Sequence, residues 1–83
     1  MPTYVTEFRI NTEEYDISII DTALNTIHER DKSFKYSIIQ CGSTARLIVF
    51  SRTKELAKRR GEWIKKNLLN NEVDYVIKKI NDY

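Results

Sequence analysis

One histidine and one cysteine, His28 and Cys41, are the residues of this chain best suited to chemistry on their own. An imidazole can carry a proton near neutral pH, and a thiolate can attack an electrophile. Each needs company that the sequence does not supply. His28 falls at the edge of an apolar helical stripe, and no nucleophile or substrate pocket is indicated beside it, so a packing role is expected. Cys41 has no local cation to lower its pKa, so it reads as a strand-end packing residue. Together they are too few for a zinc site. The run Gly42-Ser43-Thr44-Ala45-Arg46 could offer backbone N–H groups and a guanidinium to one phosphate. It lacks the spacing of a phosphate-binding loop and reads as a hairpin turn. No paired carboxylates, cysteine cluster or Gly-rich acyl-phosphate loop stands out. The expectation is a non-catalytic protein with no cofactor and no metal.

The stronger chemical signal is charge. Residues 1–31 carry seven acids and two bases, net −5, whereas residues 32–70 carry ten bases and two acids, net +8. The formal whole-chain charge of +2 hides this division. A concentrated positive field suits a polyanion, because each phosphate neutralised releases condensed counterions. Arg46, Arg52, Lys54, Lys58, Arg59, Lys65 and Lys66 are therefore the expected nucleic-acid contacts. A bland alternative stands beside them. Glu55–Arg59 and Glu62–Lys66 are i,i+4 pairs in the favourable orientation, each worth about 0.2–0.5 kcal/mol, and a solvated, self-paired helix face would account for much of the pattern.

Hydrophobic periodicity supplies the scaffold for these groups. Tyr4, Thr6, Phe8 and Ile10 alternate with Val5, Glu7 and Arg9, which predicts a strand at 4–10. After the turn and cap residues 11–16, Ile17, Ile20, Leu24 and Ile27 trace one face of a helix over 16–30, capped by Asp16 or Ser18. Alternation returns at 34–41 and 45–50, joined by Gly42-Ser43 as a tight hairpin turn. Ser51 or Thr53 caps a second helix over 53–70, with Leu56, Ala57, Ile64 and Leu68 on one face. Gly61 shares that face, which suggests a close approach of helix to sheet. Asn70-Asn71 closes the helix, since Asn tolerates the left-handed conformation. A last strand is expected at 73–79. Trp63 lies at the margin of the second helix's inner face, either as a core-edge residue with Arg60 stacked on it or as an exposed anchor for a partner.

The order βαββαβ with short connections predicts an α+β, ferredoxin-like sandwich: a four-stranded antiparallel sheet with two helices on one face. The inward set would be Tyr4, Phe8, Ile10, Phe34, Tyr36, Ile38, Leu47, Val49, Val73, Tyr75 and Ile77. The outward face would show Val5, Arg9, Ser37, Ile39, Ile48, Phe50 and Val76, with Lys35, Arg46 and Lys78. It is too apolar for a plainly solvated surface and too basic for a core. Ile39, Ile48, Phe50 and Val76 are its expected interface residues. RNA-recognition domains use this same sheet face, but their basic, Gly and alternating aromatic signature is absent from Ala45-Arg46-Leu47-Ile48-Val49-Phe50.

Eighty-three residues are read as one domain over 1–83. A chain of this size has a small core, and oligomerisation would help it. A single cysteine fits a reducing compartment. With no apolar run near the roughly 20 residues of a membrane span and no signal-peptide pattern at the start, a cytoplasmic protein with no membrane partner is expected. The leading expectation is a small module contacting DNA or RNA through its basic hairpin and second helix. The alternative is a regulatory or inhibitory module that docks on a protein, or dimerises, through the outward sheet face or the basic helix.

Overall fold

The computed structural model describes residues 3–80. Its elements run β1 (Thr3–Asn11), α1 (Ile17–Arg30), β2 (Lys35–Cys41), β3 (Thr44–Ser51), α2 (Lys54–Asn67) and β4 (Tyr75–Ile80). The sheet order is β2-β3-β1-β4, and every neighbouring pair is antiparallel. The architecture is the expected α+β, ferredoxin-like arrangement. The expected domain bounds, 1–83, extend at both ends outside the described residues.

Local chemistry explains where the helices begin. The Asp16 carboxylate accepts the Ser18 N–H at 2.9 Å and the Ser18 hydroxyl at 2.7 Å, and these bonds hold its pKa below the usual carboxylate range. Thr53 caps α2 by accepting the Leu56 N–H at 3.1 Å. The β2–β3 turn has φ +62° at Gly42, a conformation that a residue without a Cβ adopts freely.

Two boundaries differ from the sequence expectation by more than one residue. α2 ends at Asn67 rather than at 70, because the following residues turn out of the helix: Asn70 and Asn71 take φ of 54° and 60°, and the Asn71 N–H bonds to the Lys65 carbonyl at 2.8 Å. β4 begins at Tyr75 rather than at 73, because its pairing with β1 stops at Phe8↔Tyr75. Val73 still packs, half-buried, against the core.

Both helices cover one face of the sheet. Ile20 and Leu24 from α1 and Ile64 from α2 meet Phe8, Ile10, Leu47 and Val49, with Phe34, Ala45 and Leu69 completing the buried cluster. Thr6, fully buried, donates its hydroxyl to the Ala57 carbonyl at 2.9 Å, tying β1 to α2. Gly61 is the point of closest approach: a Cβ there would lie 3.0 Å from the Thr6 methyl and from the Tyr75 ring. Tyrosine hydroxyls tie the layers together further. Tyr36 donates to Asp21 Oδ1 at 2.8 Å, Tyr15 to Glu72 at 2.8 Å, and Tyr75 to Glu62. Among the described residues, no helix is long and apolar enough to cross a membrane.

Candidate nucleic-acid interface

α2 and the turn before it hold six of the seven cations expected to contact nucleic acid. Ala57, Gly61 and Ile64 are buried against the sheet, which leaves Lys58, Arg59 and Lys66 exposed on the rest of the helix surface, with Lys54 exposed at its first residue and Arg52 exposed just before the cap. The i,i+4 pairs that would have cancelled this charge do not form. Glu62 instead accepts the hydroxyl of Tyr75, and that contact, second to burial, pushes the Tyr75 pKa up to about 12. Among the described residues, Arg52, Lys54, Lys58, Arg59 and Lys66 make no ion pair, and neither does Glu55. Lys65 differs from its neighbours. It reaches across to Asp74, just before β4, at 2.6 Å, and the carboxylate raises its pKa.

Arg46 does not join this group. It lies on the outward side of β3, in register with Arg9 and Ile39, on the sheet face opposite α2. The continuous hairpin-and-helix surface expected from the sequence therefore does not form. Arg46 is also held by Glu7, at 2.8 Å, and Lys78 approaches the same carboxylate at 3.7 Å. Glu7 shows only 11% of its side chain to solvent. The Arg46 hydrogen bond holds its pKa below the usual carboxylate range, against the opposing effect of burial.

Cross-strand register lays out the outward face in rows. Lys35, Phe50, Val5 and Lys78 form one row, and Ser37, Ile48, Glu7 and Val76 the next. Among the expected interface residues, Ile39 and Val76 are largely exposed, while Ile48 and Phe50 are half-covered by their neighbours. Ile80 adds to the exposed apolar surface, and Val5 is buried within it. Glu7, which alternates with Val5 and Arg9, joins this face beside the residues expected there. It sets a carboxylate at the centre of the face, between the cations a phosphate chain would need.

The remaining candidates have structural partners or none. His28 Nδ1 lies 2.6 Å from the Phe34 carbonyl; that nitrogen must carry the proton and donate, which orients the ring and joins the end of α1 to the start of β2. Cys41 is exposed beside the turn rather than packed as expected, because it stands at the last pair of the β2–β3 hairpin on an edge strand. Among the described residues, no cluster of three metal-ligating side chains occurs.

Trp63 and Arg60 separate. The Arg60 guanidinium stacks over Phe34, 5.1 Å from the ring centroid, rather than over Trp63. It also donates to the Phe50 carbonyl at 2.9 Å and to Ser51 Oγ at 3.2 Å. Arg60 is thereby built into the scaffold, and its burial lowers its pKa. Trp63 is left 46% exposed. It forms one wall of a cleft between the helices, whose other side is α1 with Ile27 and Arg30. Arg30 belongs to the acidic third of the sequence, and only the fold brings it beside α2.

No protein family, curated protein or solved structure matches the chain.

Proposed function

We propose that this domain is a small non-catalytic module that contacts nucleic acid electrostatically through the outer side of α2 and the turn preceding it. Arg52, Lys54, Lys58, Arg59 and Lys66 hold phosphates. The observation that carries the reading is that these five exposed cations make no ion pair among the described residues, although two glutamates share their helix. Their placement also has a cost. Lys54 opens the helix and Arg52 precedes its cap, at the positive end of the helix dipole, where acids are favoured and cations are not. A fold indifferent to anions gains nothing from that arrangement. Lys65 contributes less, because Asp74 competes for it, and Arg46 belongs to the other face. An exposed Cys41 suits a reducing, cytoplasmic setting.

The test is equilibrium binding to short DNA and RNA, single-stranded and duplex, at low salt. The wild-type domain is expected to bind, and a variant with Lys54, Lys58, Arg59 and Lys66 all changed to Gln is expected to lose most of that affinity while keeping its melting temperature. Absence of wild-type binding at low salt removes the proposal.

A second reading rests on a different observation. Ile39, Val76 and Ile80 lie exposed on the uncovered sheet face, and patches of that kind often pack against protein. Among the described residues, the face holds Arg9, Lys35, Arg46 and Lys78 against one acid, Glu7. Two copies laid face to face would repel, so the fitting occupant is a different protein with an apolar centre and an acidic rim. Val76→Asp should abolish such a complex and leave nucleic-acid binding intact.

A further inference from the structure

The cleft between the helices gives the nucleic-acid reading a more specific form. Ile27, Phe34 and Ile64 supply its apolar surface, Trp63 stands at one wall, and Arg30 and Arg59 stand at the rim. Its volume is about 430 Å³. Phe34 and Ile64 are buried, whereas Trp63 is the one large aromatic left substantially open among the described residues. Arg60 sits beneath, committed to Phe34 and to the end of β3. Among the described residues, the one carboxylate of the cleft is Asp31, which accepts the Ser33 N–H at 3.0 Å and the Ser33 hydroxyl at 2.6 Å and whose charge also acts on Arg60.

The spacing along α2 matters as much as the cleft. Arg59 precedes Trp63 by four residues and Lys66 follows it by three. Residues three and four apart are neighbours on a helix surface, so the indole is bracketed by a cation on either side. Arg59 and Lys66 lie roughly 10 Å apart along the axis, from seven rises of about 1.5 Å. Across the cleft, Arg30 adds a third cation that makes no ion pair among the described residues. An aromatic plane with cations on both sides is the pattern that holds an unpaired base by stacking and its flanking phosphates by charge. The bases of a duplex are already stacked on one another and cannot enter.

We propose that the cleft takes one unpaired base of a single-stranded nucleic acid, stacked on Trp63, with the adjoining phosphates on Arg59, Lys66 and Arg30. This rests on the nucleic-acid reading above and narrows it to single strands.

Trp63 is the chain's only tryptophan, so its emission reports on the cleft directly. The experiment titrates the wild-type domain with a short single-stranded oligonucleotide, with a duplex of the same sequence, and with polyglutamate. Each is followed by Trp63 fluorescence and by an independent binding signal from a labelled strand. The single strand is expected to quench the emission and to bind about tenfold or more tighter than to Trp63→Ala, with the salt dependence unchanged by that substitution. Arg59→Gln is expected to weaken binding and reduce the salt dependence. Trp63 is exposed, and melting curves of both variants verify the fold. Equal binding of single strand and duplex, with emission unmoved and Trp63→Ala unimpaired, overturns the cleft assignment and leaves the α2 surface standing. Failure of both nucleic acids to bind overturns both. Equal quenching by polyglutamate identifies an acidic protein segment as the occupant and overturns the assignment to nucleic acid.

Discussion

At the residue scale, Glu62 decides much of what α2 presents to solvent. In an isolated helix it would pair with Lys66 four residues on. In the folded chain the Tyr75 hydroxyl donates to it instead, and Lys66 is left without an ion pair among the described residues. The helical wheel could not foretell this, because Tyr75 lies beyond the turn that follows the helix and reaches Glu62 only once β4 has joined the sheet. Lys65 with Asp74 and Glu7 with Arg46 follow the same logic. The sequence shows which charges exist and which are helical neighbours; tertiary register decides which cancel.

The tyrosines themselves yield a prediction at this scale. Burial, with the acceptors Asp21 and Glu62, pushes the Tyr36 and Tyr75 hydroxyls up to about 12 from 10.0. A raised acid pKa means that the folded state holds the proton more tightly than the unfolded chain. The stability gained from these groups is therefore complete below about pH 10 and lost as pH climbs toward 12. Melting temperature followed from pH 8 to pH 11.5 (roughly the window set by that linkage) should fall steeply above 10 in the wild-type domain. The fall should be shallower in the Tyr36→Phe, Tyr75→Phe double variant.

At the scale of elements, α2 carries two demands that pull against each other. Its inner face must come close to the sheet at Gly61, where the Thr6 methyl and the Tyr75 ring leave no room for a larger side chain. Gly61→Val should destabilise the domain by about 1–3 kcal/mol through overpacking, measured by denaturant unfolding. Removing the cap should also tell: Thr53→Ala should cost about 1 kcal/mol, since the Leu56 N–H loses its acceptor. The outer side pulls the other way. Lys54→Glu places an acid at the positive end of the helix and should stabilise by about 0.3–1 kcal/mol, while weakening nucleic-acid binding. Opposite signs in thermal melting and in binding are the expected pair of results; a gain in stability with binding unchanged would remove Lys54 from the interface.

Most of the elements were legible from periodicity, because a period of two or of 3.6 also assigns each side chain to a face. The ends of α2 and β4 were not. Leu68, Leu69 and Val73 pack just as well in the irregular lead-out and lead-in as they would in a longer helix or strand.

At the scale of the whole molecule, the fold divides the basic segment between two sides. Arg46 and Lys35 go to the uncovered sheet face, and the α2 cations go to the helical layer. A count along the chain cannot see that division, which is why seven residues expected as one surface become five on α2 and its turn, one tethered lysine and one arginine paired with Glu7. The same folding brings Arg30 from the acidic third to the cleft beside Trp63. Charge read along the chain and charge read over the surface are thus different quantities, and only the second one meets a ligand.

The salt dependence of binding measures that surface charge most directly. With a single-stranded oligonucleotide, six phosphates held by Arg30, Arg52, Lys54, Lys58, Arg59 and Lys66 predict a slope of log affinity against log salt of about −4, from about −0.7 per phosphate. Changing Lys58 and Arg59 to Gln should bring it to about −3 on the same basis, whereas Arg46→Gln should leave it unchanged. A slope near zero, or one that responds to Arg46 and not to Lys58 and Arg59, would contradict the account.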